Sequence, residues 1–175
     1  MPAGVNIHFH PGFLPSNSVF NLGGIWFNAD MARIKLDMDA TRLTFHTDLS
    51  VRITDINYGR HLGNDAMLGL LQEARLRFLA QAGFSEEDIG GVGMVMGDAV
   101  VQFKAVAFYG DELSVGVGLQ DVERRTFDLV YRVVRKGDNA VVALAKTGMV
   151  AYDYRQNRLA RVPDVFLEKM GVKQA

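Results

Sequence analysis

The sequence contains no cysteine. That excludes disulfide staples, zinc ribbons and thiol nucleophiles, and it accords with a reducing compartment. Any chemistry falls to His, Asp, Glu, Asn, Ser, Thr, Tyr or backbone amides. Net charge is also lacking: 19 Lys and Arg against 20 Asp and Glu leave -1, so there is no electrostatic ground for a nucleic acid or an anionic membrane as partner. No apolar run is long enough to span a bilayer. The first basic residue is Arg33, so the start lacks the basic region of a secretory signal and the arginines of a mitochondrial one. These absences lead us to expect a soluble, cytoplasmic protein with no nucleic-acid or membrane partner, acting on a small molecule or on another copy of itself.

What is present is globular: 49% hydrophobic and 22% charged residues over 175 positions, enough for one core without metal or disulfide support. The distribution is uneven. Residues 1–30 carry a single charge, Asp30, yet hold Pro2, Pro11, Pro15, Trp26 and four of the eleven phenylalanines, with no helical or alternating period. This segment reads as an extended N-terminal arm (1–41) and not as a folded unit. Met31-Ala32-Arg33-Ile34-Lys35 would serve as a start, so the preceding residues are either an upstream extension or an arm whose Phe9, Phe13, Phe20, Trp26 and Phe27 pack on a partner surface. His8 and His10 lack further ligands, and no metal site is expected.

From residue 42 onward the pattern is that of one domain, 42–175. Residues 43–53 alternate apolar and polar side chains, with Leu43, Phe45, Leu49, Val51 and Ile53 on one side, as in a half-buried strand. Residues 65–82 place Met67, Leu70, Leu71, Ala74 and Phe78 at helical spacing, with Asn64 or Asp65 as N-cap and Gly83 as stop. Valine-rich stretches follow at 92–108, interrupted at Gly97-Asp98, and at 112–121, 126–135 and 140–154. Pro163 opens a short helix whose expected buried side is Val165, Phe166 and Met170. The class is α+β: a long helix on one face of a curved antiparallel sheet. Strands apolar on both faces call for a second subunit, so at least a homodimer is expected.

Polar residues concentrate between the first strand and the long helix, in Thr54-Asp55-Ile56-Asn57-Tyr58-Gly59-Arg60-His61-Leu62-Gly63-Asn64-Asp65. The segment ends at a helix N-terminus, whose free amides suit a carbonyl oxygen or oxyanion. Taken singly, each residue has a plainer role. Asp55 and Asn57 are turn formers, Asn64 and Asp65 caps, His61 a half-buried ring, and Glu73 the partner of Arg77 four residues on.

In combination the residues say more. Val51-Arg52-Ile53-Thr54-Asp55-Ile56-Asn57, then His61-Leu62-Gly63-Asn64, then Leu71-Gln72-Glu73-Ala74-Arg75 closely resemble the hot-dog-fold acyl-CoA thioesterases of the 4-hydroxybenzoyl-CoA thioesterase superfamily. Tyr109-Gly110-Asp111-Glu112-Leu113, Arg124-Arg125-Thr126-Phe127 and Arg161-Val162-Pro163 continue the likeness, which spans about residues 42 to 170. The resemblance implies a sheet of five to six strands wrapped around the central helix, a homodimer or homotetramer joined edge to edge, and a site between subunits. Acyl-acyl-carrier-protein thioesterases are similar in the same motifs. In the family the second Asp of Asp-x-Asp is often the catalytic carboxylate; here it is Asn57, an amide that cannot act as a base.

The resemblance therefore assigns catalysis to Asp55, Asn57, His61, Asn64 and Glu73. Glu73 or Asp55 would activate a water, and backbone amides from Gly63 to Asp65 would polarise a thioester carbonyl of acyl-CoA or an acyl carrier protein. Met67 would meet the acyl chain; Arg60, Lys104, Arg124 and Arg125 would contact CoA phosphates. No cofactor is expected beyond the substrate's own CoA or carrier group. A non-catalytic acyl-CoA-binding protein is the alternative that Asn57 raises. A hydratase is disfavoured, since no proline follows Asn57 and His61 comes one residue late for that motif.

Overall fold

The computed structural model describes residues 19–22, 25–28, 36 and 43–172. The chain divides into two units, residues 1–33 and 34–175. In the first, β1 (Val19–Leu22) pairs antiparallel with β2 (Ile25–Asn28), Phe20 opposite Phe27 and Leu22 opposite Ile25. The expected extended arm thus contains a hairpin. Two short runs rich in aromatic and branched residues flank Gly23-Gly24, a hairpin signal that the proline-rich surroundings obscure. His8, His10, Phe9 and Phe13 lie outside the described residues.

The second unit runs β3 (Phe45–Ser50), a 3-10 turn (Ile53–Asp55), α1 (Asn64–Gln81), β4 (Gly93–Phe103), β5 (Glu112–Gln120), β6 (Thr126–Arg135), β7 (Val141–Asp153), β8 (Arg158–Leu159) and α2 (Asp164–Lys169). The strands form a six-stranded antiparallel sheet in the order β3-β5-β6-β7-β4, with β8 on β7. The helix α1 forms where the heptad-like spacing predicts it. Its Met67, Leu70, Leu71, Ala74, Phe78 and Leu79 are buried against inward residues of the sheet such as Val115, Leu129 and Met149. Each large apolar side chain so buried contributes about 1.5–3 kcal/mol. Gly83, at φ +79, ends the helix as expected.

Several local expectations are corrected. β3 stops at Ser50, because Val51 N–H leaves the ladder to bond Asp111 O at 2.9 Å and Arg52 and Asp55 then close the 3-10 turn. The N-cap of α1 is Gly63, with no side-chain cap, and not Asn64 or Asp65. In α2 the buried pair is Phe166 and Leu167, whereas Val165 is exposed; Phe166 is fixed between Phe84 and Phe127 with ring centroids 5.3 and 5.2 Å apart.

The interruption expected at Gly97-Asp98 is a bulge inside one continuous strand. Its effect is on parity. Before it Met94 and Met96 stand opposite the inward-facing Ala151 and Met149; after it Ala99, Val101 and Phe103 stand opposite Thr147, Ala145 and Ala143. The extra residue keeps apolar side chains on the inner face along the whole of β4.

Candidate active site

The loop between the 3-10 turn and α1 is anchored to one end of the sheet. Leu62 N–H bonds Ala107 O at 2.8 Å, and Gly110 N–H bonds Val51 O at 3.0 Å. Within it Ile56 and Leu62 form an isolated bridge, and Asn57 N–H bonds His61 O at 2.9 Å. Asn57 Oδ1 accepts from Gly59 N–H at 2.8 Å, a side-chain-closed turn, while Arg60 takes the left-handed conformation at φ 65. Residue 59 is closely packed: a Cβ there would stand 3.0 Å from Asn57 Oδ1 and 3.1 Å from His61 Nε2, so both side chains would have to give way.

His61 is half-buried, and its Nδ1 lies 3.1 Å from Leu62 O. A carbonyl only accepts, so the neutral ring carries its proton on Nδ1 and leaves a lone pair on Nε2. His61 is thereby oriented as a base by its own main chain.

Asp55 is buried, and both its oxygens are engaged. Oδ2 accepts from Arg52 N–H at 2.8 Å and from Arg52 Nε at 3.1 Å, and Oδ1 from Arg52 Nη2 at 2.9 Å. The hydrogen bonds from Arg52 hold the Asp55 carboxyl below the ordinary carboxylate value, against the opposing effect of burial. Its main-chain oxygen accepts from Gly63 N–H at 2.9 Å. Asp55 therefore braces the helix entry. The same bond corrects the expectation for Gly63, whose amide is already used and is not free for a carbonyl.

The N–H groups of Asn64, Asp65 and Ala66 precede the first helical acceptor, Gly63 O, which takes Met67 N–H at 3.0 Å. With no side-chain cap on this end of α1, they are the donors open to a ligand. Asn64 and Asp65 are exposed beside them.

Glu73 is exposed on α1 and accepts from Arg77 Nε at 2.8 Å. Arg77 also reaches Thr47 Oγ1 at 3.0 Å and Asp48 O at 3.1 Å, tying the helix to β3. The Arg52 guanidinium, held charged chiefly by Asp55, also feels Glu73, so the two carboxylates flank one cation.

The remaining expected contacts are dispersed. Met67 is buried in the core under the first turns of α1. Arg60 is exposed on the loop, and Lys104 is half-buried where β4 ends, at the same end of the sheet. Arg124 and Arg125 are exposed before β6 begins, with Arg124 O accepting from Val162 N–H and Arg125 O from Ala151 N–H. The loop joins the end where β5 begins and β6 finishes, so within one chain these two arginines occupy the opposite end of the sheet.

One polar network escaped the sequence reading. Arg75, buried on α1, donates from Nε to Glu86 Oε1 at 2.5 Å and lies against the fully buried Tyr131, whose hydroxyl meets Thr147 Oγ1 at 3.1 Å. Burial pushes the Tyr131 hydroxyl pKa up. Burial opposes the charge on Arg75, but Tyr131 and Glu86 outweigh it. The signal was available: Arg75 adjoins Ala74 on the apolar stripe, and Tyr131 has the inward parity of β6.

Among the described residues, no group of three or more His, Asp or Glu is placed to hold a metal ion, and no helix is long and apolar enough to cross a membrane. No curated protein sequence matches the chain. Among solved structures it is similar to a 1,4-dihydroxy-2-naphthoyl-CoA thioesterase from Synechocystis, with 20% identity, TM-score 0.66, and coverage of 73% of this chain and 95% of that one. It is similar also to a hypothetical protein from Staphylococcus aureus solved in complex with CoA, with 15% identity, TM-score 0.66, and coverage of 73% and 81%. A gentisyl-coenzyme A thioesterase matches at 17% identity and TM-score 0.64, over 72% of this chain and 99% of that one. The model of the thioesterase-like superfamily matches residues 51–170. With its helix laid on a six-stranded antiparallel sheet in this strand order, the chain has the hot-dog fold and belongs to the thioesterase-like superfamily.

Proposed function

We propose that the protein hydrolyses an acyl-CoA or acyl-carrier-protein thioester to the free acid and the thiol, by attack of water at a site completed by a second subunit. The observation that carries this reading is the uncapped start of α1 next to an oriented His61, with Glu73 further along the same helix. The thioester oxygen would accept from the amides of Asn64, Asp65 and Ala66, which favour the charge that develops on it during attack. Glu73 lies nine residues along α1 from Asn64, about 13 Å by helix rise, so the Glu73 that takes a proton from water as the new C–O bond forms would come from the second subunit. His61 assists beside the amides, and the proton passes to the departing thiolate as the C–S bond breaks. Asn64 holds the water or the substrate.

Asp55 and Asn57 act through position: Asp55 fixes the helix entry through Arg52 and Gly63, and Asn57 closes the turn that seats His61. Met67 backs the acyl chain from the core, and Arg60 and Lys104 sit at the same end for the CoA phosphates.

The second subunit follows from where α1 lies. The helix packs against β3 and β5, leaving Met96 and Phe103 on the inner face of the edge strand β4 48% and 46% exposed. Antiparallel pairing of β4 with its copy reverses the ends of the sheet. It brings Arg124 and Arg125 of a second copy toward the loop of the first, where a pantetheine-linked phosphate would lie. We propose a homodimer on this ground.

A panel of acyl-CoA thioesters with a thiol-detecting reagent tests the activity. Release of free thiol that falls in both Glu73→Ala and His61→Ala supports the assignment; release undiminished in both removes it. A second reading, acyl-CoA binding without catalysis, draws on one observation: Asp55 and Glu73 are both paired with arginine. Binding of the panel with no thiol released would establish it.

A further inference from the structure

The face of the sheet turned away from α1 carries a pocket that the proposed hydrolysis does not use. In register, His46 of β3 stands opposite Gly116 of β5, which stands opposite Arg132 of β6. Without a side chain at 116, the His46 ring and Leu43 fold down over β5. A Cβ there would meet His46 Nε2 and Leu43 Cδ1 at 3.0 Å each. The resulting pocket is about 400 Å³, walled by Leu43, His46, Ser114, Arg132, Val134 and Lys136, within the size range of small-molecule sites.

The charges of this pocket do not cancel. Lys136 is neutralised by Asp48, its Nζ 2.6 Å from Asp48 Oδ2. Arg132 is half-buried and makes no hydrogen bond or ion pair among the described residues. One guanidinium fork is left facing a concave space, a geometry that a carboxylate fills with two parallel hydrogen bonds. A dianion fits less well, since one positive charge is uncompensated and the Asp48 carboxylate stands at the rim. Leu43 and Val134 offer apolar wall to the rest of the ligand.

We propose that this outer-face pocket binds a small organic carboxylate with an apolar body, held through Arg132. The ligand lies between the His46 ring and Val134, on the opposite face of the sheet from α1, and its binding is independent of thioester hydrolysis.

The test is a titration of the full chain, labelled at histidine, with benzoate and with hexanoate at constant ionic strength, read by the ring resonances of His46 (assigned with His46→Gln). Benzamide and inorganic phosphate are the comparison probes. The expected result is a saturable shift of His46 with at least one carboxylate, none with benzamide, and weaker binding of phosphate. Arg132→Gln should weaken carboxylate binding about tenfold or more, the effect of losing a charged hydrogen-bonding group. Arg132→Lys, which keeps the charge and the fold but not the fork, should fall between. No saturable shift with either carboxylate, equal response to benzamide, tighter binding of phosphate, or unchanged affinity in both Arg132 variants would each overturn the proposal.

Discussion

The two edges of the main sheet are built in opposite ways. At β3, Asp48 pairs with Lys136, Ser50 donates to Glu112, and Arg77 clamps Thr47 and the Asp48 carbonyl from the helix. Just beyond its end Arg52 and Asp55 form a further pair, with Glu73 nearby. At β4 Met96 and Phe103 lie exposed on the inner face. Charges on an edge strand disfavour addition of another strand, whereas a bare, apolar edge invites it. The polarity of the molecule is thus lateral: one side carries the ionic groups of the proposed chemistry, and the other offers the surface for assembly.

The largest effect is expected from placing charge on the bare side. Met96→Glu combined with Phe103→Glu should convert the assembly to monomer by light scattering and abolish thioester hydrolysis, because the site would lose its second half. Ser50→Lys, on the side already charged, should leave mass and activity unchanged. Dissociation caused by Ser50→Lys and not by the β4 pair would reverse the assignment of the two edges.

On the charged side, Glu73→Gln should lower kcat by about 10²–10⁴-fold, the range for loss of a general base. Its exposed pair with Arg77 adds only about 0.3–0.5 kcal/mol of stability. A large kinetic loss with an unchanged urea midpoint would therefore mark chemistry, and a matched loss of both would mark structure.

Between the edges lies the Arg75 network. Arg75→Met removes a buried cation from Glu86 and Tyr131, and breaking such a pair costs about 3 kcal/mol. Tyr131→Phe, which gives up one buried hydroxyl bond to Thr147, should cost about 1 kcal/mol. Chemical denaturation of both variants measures whether polar groups hold the helix to the middle of the sheet.

The residues themselves explain which parts of this structure could be read in advance. Periodicity placed α1, β6 and the β4 irregularity because each pattern depends only on neighbours in sequence. The same logic overran at β3: Leu49, Val51 and Ile53 keep alternating, yet Arg52 folds onto Asp55, and a side-chain pair ends the strand where hydropathy does not. The site motif marks the loop between the 3-10 turn and α1, but the hydrogen bonds that engage its residues are not encoded in it. Asp55 looked like a base until both oxygens were found on Arg52, and Gly63 looked like an oxyanion donor until its N–H was found on Asp55 O. Arg124 and Arg125 require the strand order, which adjacent residues do not encode.

The smallest predicted effect isolates the end of the charged side. Arg52 lowers the Asp55 carboxyl in the folded protein, whereas the unfolded chain has it near an ordinary value of about 3.9. The unfolded state therefore binds the proton more readily, and the ion pair contributes stability above that pH. The contribution is lost as pH falls through the lower folded value. Asp55→Asn should be less stable than the parent near neutrality, and the two should converge on acidification. Because the Arg52 side chain is 71% exposed, added salt should narrow the gap at neutral pH. Urea midpoints across the acid range at low and high salt provide the measurement. A gap that stayed constant with pH and salt would mean that the carboxylate holds the helix entry by shape and hydrogen bonding alone, and that charge at this end of β3 serves the chemistry without stabilising the fold.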